Sequence, residues 1–193
     1  MNIRATRCAH TAALALAFSL TAVFAGSALA ADSNDMAKDS SAHQGSISVT
    51  ESKTVDAAPD KVWSAIGDFD SISDWHPAVS SSDISEGENN ETGAQRHLML
   101  GDGGTVDEEL VSRDNDGMTY SYKIVGGVLP VSNYMSTISV EPEGDAQSKV
   151  TWEGHFDPAE GQTEEVATEV ITNVYRAGLV NVKSMLNGDG AGK

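Results

Sequence analysis

Between Ile47 and Leu186 the apolar positions first alternate, then recur every three or four residues, then alternate again, and end in a long stretch at helical spacing. Ile47 to Val55 is alternating and rich in β-branched residues, which predicts a strand. Pro59 follows where a first helical turn accepts proline, and Val62, Trp63, Ile66 and Phe69 continue at helical spacing, so a short helix is expected. A one-turn helix is expected over Ile72 to Trp75, ending at His76, because the residue before Pro77 is pushed out of helical geometry.

The alternating segments after it predict six more strands: Val79 to Ser85, Gln95 to Leu100, Thr105 to Ser112, Met118 to Val125, Tyr134 to Val140 and Lys149 to Phe156. They are separated by turn chemistry such as Gly101-Asp102-Gly103-Gly104 and Asp114-Asn115-Asp116-Gly117. The gaps are too short for crossover helices, so the strands pair antiparallel. From Val166 to Leu186 an apolar stripe including Val170, Val174, Tyr175 and Val182 predicts a long helix, with Gly188 as its stop. The expected fold is α+β: a curved seven-stranded antiparallel sheet wrapped around a long C-terminal helix, with two short helices after the first strand. It spans residues 46–187, followed by a tail at 188–193 that is expected to be disordered. A sheet and helix so arranged bury one face each and commonly leave a ligand cavity between them.

The residues before this pattern have a different character. Arg4 and Arg7 precede an apolar stretch from Thr11 to Ala25, and Ala28-Leu29-Ala30 has the small-residue pattern of a cleavage site. Residues 1–30 are therefore expected to be a secretory signal of the general export route, cleaved after Ala30, with the mature protein periplasmic or secreted. The apolar core is too short and Ala-rich for a membrane anchor, for which about 20 apolar residues are needed. Residues 31–45, rich in Ser, Asp, Ala and Gln, are expected to be a disordered linker.

Cleavage would change the chemistry. The chain carries 12 basic and 29 acidic residues, a formal charge of −17, and the leader holds two of the basic residues and none of the acidic ones, which leaves −19. Nucleic acid and anionic membrane surfaces are poor partners for such a chain. The single cysteine, Cys8, lies in the leader, so thiolate metal sites, disulfides and cysteine nucleophiles are excluded from the mature protein. The remaining histidines, His43, His76, His97 and His155, have no helical metal-ligand spacing, and Asp102, Asp107 and Glu108 read as a solvated acidic edge. No metal site, cofactor, phosphate-binding loop or nucleophile elbow is expected.

Four segments carry a resemblance. They are Ala58-Pro59-Asp60-Lys61-Val62-Trp63, Trp75-His76-Pro77, Glu109-Leu110 with Asp114, and Tyr122-Lys123-Ile124-Val125-Gly126-Gly127 running on to Ser132-Asn133-Tyr134. In this order the chain resembles the helix-grip superfamily of START lipid-transfer domains, polyketide cyclases and the birch-pollen-allergen fold. The last two segments are also similar to parts of plant abscisic-acid receptors. That resemblance implies cavity-facing roles for Glu109, Tyr134 and Ser136, with Arg96 nearby and Glu153 as a further cavity acid. The same placement puts His155 on the face of Glu153 and Trp152 on the other. Alternation puts Tyr120, Tyr122 and Ile124 on one face, as it does Arg96, Leu98 and Leu100. The receptor lysine that pairs with the hormone carboxylate falls at Ser80, and the first closing loop is replaced by Gly101 to Gly104. The second closing loop is matched by Gly126 to Val131, so Val128, Leu129, Pro130 and Val131 are expected to gate the cavity mouth.

Two functions of different class follow. One is an exported carrier for a small hydrophobic or amphipathic ligand in a large closed cavity, walled by the tyrosines and Ile124 and oriented by Arg96 and Glu109. The other is a cyclase or dehydratase in which Glu109 or His155 moves protons. A third possibility is an accessory role with a periplasmic protein partner, resembling exported family members associated with methanol oxidation.

Overall fold

The computed structural model describes residues 45–144 and 146–188; the expected leader, nearly all of the expected linker and the tail beyond Gly188 lie outside the described residues. The elements run β1 (Ile47–Val55), α1 (Pro59–Ile66), a 3-10 turn (Phe69–Ser71), α2 (Ile72–Trp75), β2 (Val79–Glu86), β3 (Gln95–Leu100), β4 (Thr105–Asp114), β5 (Thr119–Gly127), β6 (Val131–Pro142), β7 (Ser148–Pro158) and α3 (Glu164–Asn187). All seven strands join one antiparallel sheet in the order β1-β7-β6-β5-β4-β3-β2. This is the helix-grip arrangement, with each strand beside its chain neighbour except β1, which pairs with β7 and closes the far edge.

Local chemistry accounts for the short elements. Pro59 opens α1 behind an extended Ala58, and Gly67 closes it. His76, at φ −102° and ψ 114°, is extended before Pro77 and ends α2 after one turn. Helix α3 starts at Thr163, whose Oγ1 accepts the Val166 N–H, with Glu164 and Glu165 in its first turn next to the positive end of the helix dipole. It stops at Gly188, which is left-handed at φ 83°.

The inner face of the sheet and α3 form the core. Val106 and Leu110 of β4, Tyr120 and Tyr122 of β5, Ile138 and Val140 of β6, and Val150, Trp152 and Phe156 of β7 are all buried. The buried side of α3 runs through Ala167, Ile171, Tyr175, Gly178, Leu179 and Val182. The expected stripe is thus rotated slightly, because Val166 and Met185 are exposed while Ala167 and Gly178 take the closest approach. Small residues are needed there: a Cβ on Gly178 would lie 2.6 Å from the His76 ring and 2.9 Å from that of Trp152. Trp152 in turn stacks on Tyr175, with ring centroids 4.5 Å apart and planes at 13°.

Candidate functional site

Between the sheet and α3 lies a space of about 80 Å³, partly open to solvent. Its wall is built from every layer of the fold: Ile72 and His76 from α2 and the turn after it, Leu98 and Leu100 from β3, Val106 and Glu108 from β4. Tyr122, Ile124, Tyr134 and Trp152 continue it along β5 to β7, with Ile171 and Val174 of α3 as the lid and Leu129 of the β5–β6 loop at the rim. The expectation of a large cavity is corrected, since drug-sized ligands occupy roughly 300–1,000 Å³. The bulky rings of Tyr122, Tyr134 and Trp152 fill the space that a larger ligand would need.

One carboxylate faces this apolar space. Glu108 is 5% exposed, and its Oε2 accepts a 2.7 Å hydrogen bond from Nε of Arg96, its cross-strand neighbour. Arg96 Nη2 stands 2.6 Å from the same oxygen but out of hydrogen-bond alignment. The guanidinium is fully buried behind the wall, donating through Nη1 to the Phe69 carbonyl and lying 4.1 Å from the Phe69 ring centroid and 5.3 Å from that of Tyr122. Burial pushes the Glu108 carboxyl above its ordinary value, and Arg96 reverses this only in part. For Arg96, burial is the largest single influence and works against the charged form, but Glu108 together with Tyr120 and Tyr122 outweighs it, so the guanidinium stays charged.

The remaining polar groups are tied to one another. Ser136 Oγ donates to the Glu153 carbonyl at 2.8 Å, so its lone pairs are left to accept from Trp152 Nε1 at 2.9 Å and from the Tyr175 hydroxyl at 3.1 Å. With the Tyr175 proton so directed, Tyr134 donates to Tyr175 at 2.6 Å, and Tyr122 follows at 3.4 Å. Desolvation raises the phenol pKa values, to about 12 for Tyr120 and well above the usual value for Tyr122 and Tyr134, so all stay neutral. His76 Nδ1 accepts the Ala78 N–H at 3.2 Å, which places its proton on Nε2 for donation to the Val174 carbonyl at 2.9 Å. Burial lowers its pKa and holds it neutral, with both nitrogens occupied.

The residues expected at the site divide into three groups. Leu98, Leu100, Tyr122, Ile124, Tyr134 and Leu129 line the cavity. Arg96, Tyr120 and Ser136 are buried but stand behind the wall, and the Tyr120 hydroxyl has no hydrogen-bond partner among the described residues. Glu109, Glu153 and His155 are corrected: all three lie on the outer face. Glu109 pairs with Lys123 at 2.8 Å, and His155 Nε2 sits 3.2 Å from Glu153. The reason is strand parity, because Val106, Glu108 and Leu110 take the inward positions of β4, and Val150, Trp152 and Phe156 those of β7.

The reading of Glu108 as part of a solvated acidic edge is corrected by the same alternation, which was visible in Val106 and Leu110. His76 and Trp152 join the wall as well. Of the expected gate, Val128 is 61% exposed, Leu129 reaches the cavity rim, and Val131 already belongs to β6. The loop is pinned by Val128 N–H to the Thr105 carbonyl at 3.0 Å. Gly127, at φ 126°, permits this, since a Cβ there would stand 2.5 Å from the Thr105 oxygen.

A second depression, open to solvent and of about 540 Å³, lies between α1 and the β4–β5 turn. It is lined by Trp63, Asp68, Arg113, Asn115 and Met118, and Trp63 Nε1 donates to Asn115 within it. No group of three or more His, Cys, Asp or Glu side chains among the described residues is placed to hold a metal ion. Among the same residues no helix is long and apolar enough to cross a membrane.

Comparison with known proteins agrees with this architecture. Residues 46–186 match the family described as polyketide cyclase / dehydrase and lipid transport. The protein XoxI from Bacillus cereus is similar at 34% identity and a TM-score of 0.67, over 72% of this chain and 94% of that one. A protein from Bacillus thuringiensis is similar at 32% identity and a TM-score of 0.67, over 72% of this chain and 98% of that one. One from Nitrosospira multiformis follows at 26% identity and 0.65, over 74% and 98%. The chain belongs to the polyketide cyclase / dehydrase and lipid transport family.

Proposed function

Starting from that membership, we propose that the protein is an exported binding or carrier protein for a small apolar or amphipathic molecule held in the cavity around Glu108. The observation that carries this is a space lined by apolar side chains from nearly every element, with a single carboxylate among them. The volume of about 80 Å³ favours a ligand of a few non-hydrogen atoms over a membrane lipid. Export rests on the leader pattern at residues 1–30, and the thiol-free, strongly acidic mature chain is compatible with it.

One experiment tests both parts. The protein is recovered from the periplasm or medium of its native host and weighed intact under denaturing and then native conditions. The expected result is a chain beginning at Ala31, accompanied in the native spectrum by a small releasable molecule. A chain that stays in the cytoplasm with Met1 or Asn2 at its start contradicts export. A native mass equal to the bare chain under all purification conditions contradicts the carrier role.

A cyclase or dehydratase function is favoured by one observation, the raised pKa of a carboxyl that faces the cavity. The proton-moving residue would then be Glu108, since Glu109 and His155 point outward. Turnover of a bound ketone that disappears in Glu108→Gln while binding persists would support this function over the carrier role.

A further inference from the structure

The polar groups on the cavity wall differ in what they have left to offer. Both nitrogens of His76 are occupied by backbone partners. The Tyr134 proton is directed at Tyr175, the Tyr122 proton points along the same chain, and the Tyr122 oxygen already faces the Trp152 N–H at 3.1 Å. The Ser136 proton is spent on the Glu153 carbonyl. Glu108 is the exception. Its Oε2 takes both contacts from Arg96, and its Oε1 has no hydrogen bond among the described residues. The wall therefore holds an unused acceptor and no unused donor.

Charge narrows the choice further. Arg96, behind the wall, already neutralises Glu108, so the buried pair is balanced before any ligand enters. A carboxylate ligand would meet Glu108 itself, with no donor to receive it, because Arg96 does not reach the cavity wall. An ammonium ligand would add an uncompensated positive charge to a space walled otherwise by Leu98, Val106, Ile124 and Ile171. What fits is an uncharged hydrogen-bond donor on a short apolar body.

Resting on the carrier role, we propose that Glu108 is the specificity-determining residue of the cavity, and that the ligand is a small neutral alcohol whose hydroxyl donates to Glu108 Oε1. The apolar remainder lies against Leu98, Ile124, Ile171 and Val174. The size allows about three to five non-hydrogen atoms, since the space is roughly half of the 150 Å³ that holds the six atoms of a benzene ring.

The full mature chain, with methyl-labelled Ile, Leu and Val, is titrated by NMR with butan-1-ol, 1-chlorobutane, butyrate and butylammonium. Butan-1-ol is expected to move the Ile124, Leu98 and Val174 methyls and to bind roughly tenfold more tightly than 1-chlorobutane, the difference a retained hydrogen bond supplies. Butyrate and butylammonium are expected to bind more weakly than either. The double variant Arg96→Met with Glu108→Leu removes the acceptor without stranding a buried charge, and it should bind alcohol and chloride alike. Equal binding of butan-1-ol and 1-chlorobutane by the native chain, tighter binding of either ion, or an alcohol preference that survives the double substitution overturns the assignment to Glu108 while leaving a carrier in place. Failure of all four to reach the cavity methyls overturns the carrier role together with it.

Discussion

Glu108 and Glu109 are neighbours in the chain and live in different media: Glu108 meets Arg96 at 2.6 Å inside the core, and Glu109 meets Lys123 at 2.8 Å on the outer face of the same strand. Removing one partner of a buried pair strands the other charge, whereas a half-exposed pair contributes little. Glu108→Leu is therefore expected to cost about 3–5 kcal/mol of stability, and Glu109→Leu less than about 1 kcal/mol. Adding Arg96→Met to Glu108→Leu should recover much of the loss. Urea denaturation of the four proteins checks the order, and equal losses at the two glutamates would refute the assignment of faces.

Gly178 sits where α3 passes over three rings. A Cβ there would lie 2.6 Å from His76, 2.9 Å from Trp152 and 3.1 Å from Trp75, and those rings pack against each other with centroids 5.5–5.8 Å apart. Alanine is the better helix former by about 0.8–1.0 kcal/mol, but overpacking a core costs roughly 1–3 kcal/mol. Gly178→Ala should thus lower the urea midpoint, with an unchanged m-value. A rise in the midpoint would mean that the rings yield at no cost.

The buried neutral His76 makes stability depend on pH. Burial depresses its pKa in the folded chain below the ordinary histidine value of about 6.5, so below that pH the unfolded chain binds a proton that the folded one refuses. Its contribution is complete above about pH 6.5 and is lost as the pH falls through the window beneath, by at most about 1.4 kcal/mol per pH unit. Glu108, with its pKa raised, acts in the opposite sense above its ordinary range, so the effect must be read by difference. His76→Gln should be less stable than the native chain at pH 7.5, and the gap should narrow by pH 5. Parallel stability curves would show that His76 takes up its proton equally in the folded and unfolded chains.

Period and turn chemistry placed the strands and helices to within a few residues, because Pro59, the His76-Pro77 pair and Gly188 each force a boundary whatever surrounds them. Faces were legible only where apolar residues mark them, as in Tyr120 and Tyr122. In β4 three acidic residues in a row, Asp107 to Glu109, hide the parity, and only Val106 and Leu110 reveal that Glu108 is the one inside. The resemblance to hormone receptors pulled the assignment one residue the wrong way there and again at Glu153. Cavity size was not legible at all, since it depends on how Trp152 stacks on Tyr175 and how Tyr122 packs against Tyr134, a matter of rotamers and of Gly178 letting α3 come close.

The claim that the interior space around Glu108, and not the more open depression beside Trp63, is where this protein holds its ligand is tested most directly by diffraction. Crystals are soaked in a mixture of small apolar and hydroxylated molecules and the new density is located. The expected result is a molecule of a few atoms enclosed by Leu98, Ile124, Leu129 and Val174, beside Glu108. An interior that stays empty while density gathers among Trp63, Arg113 and Met118 would contradict it.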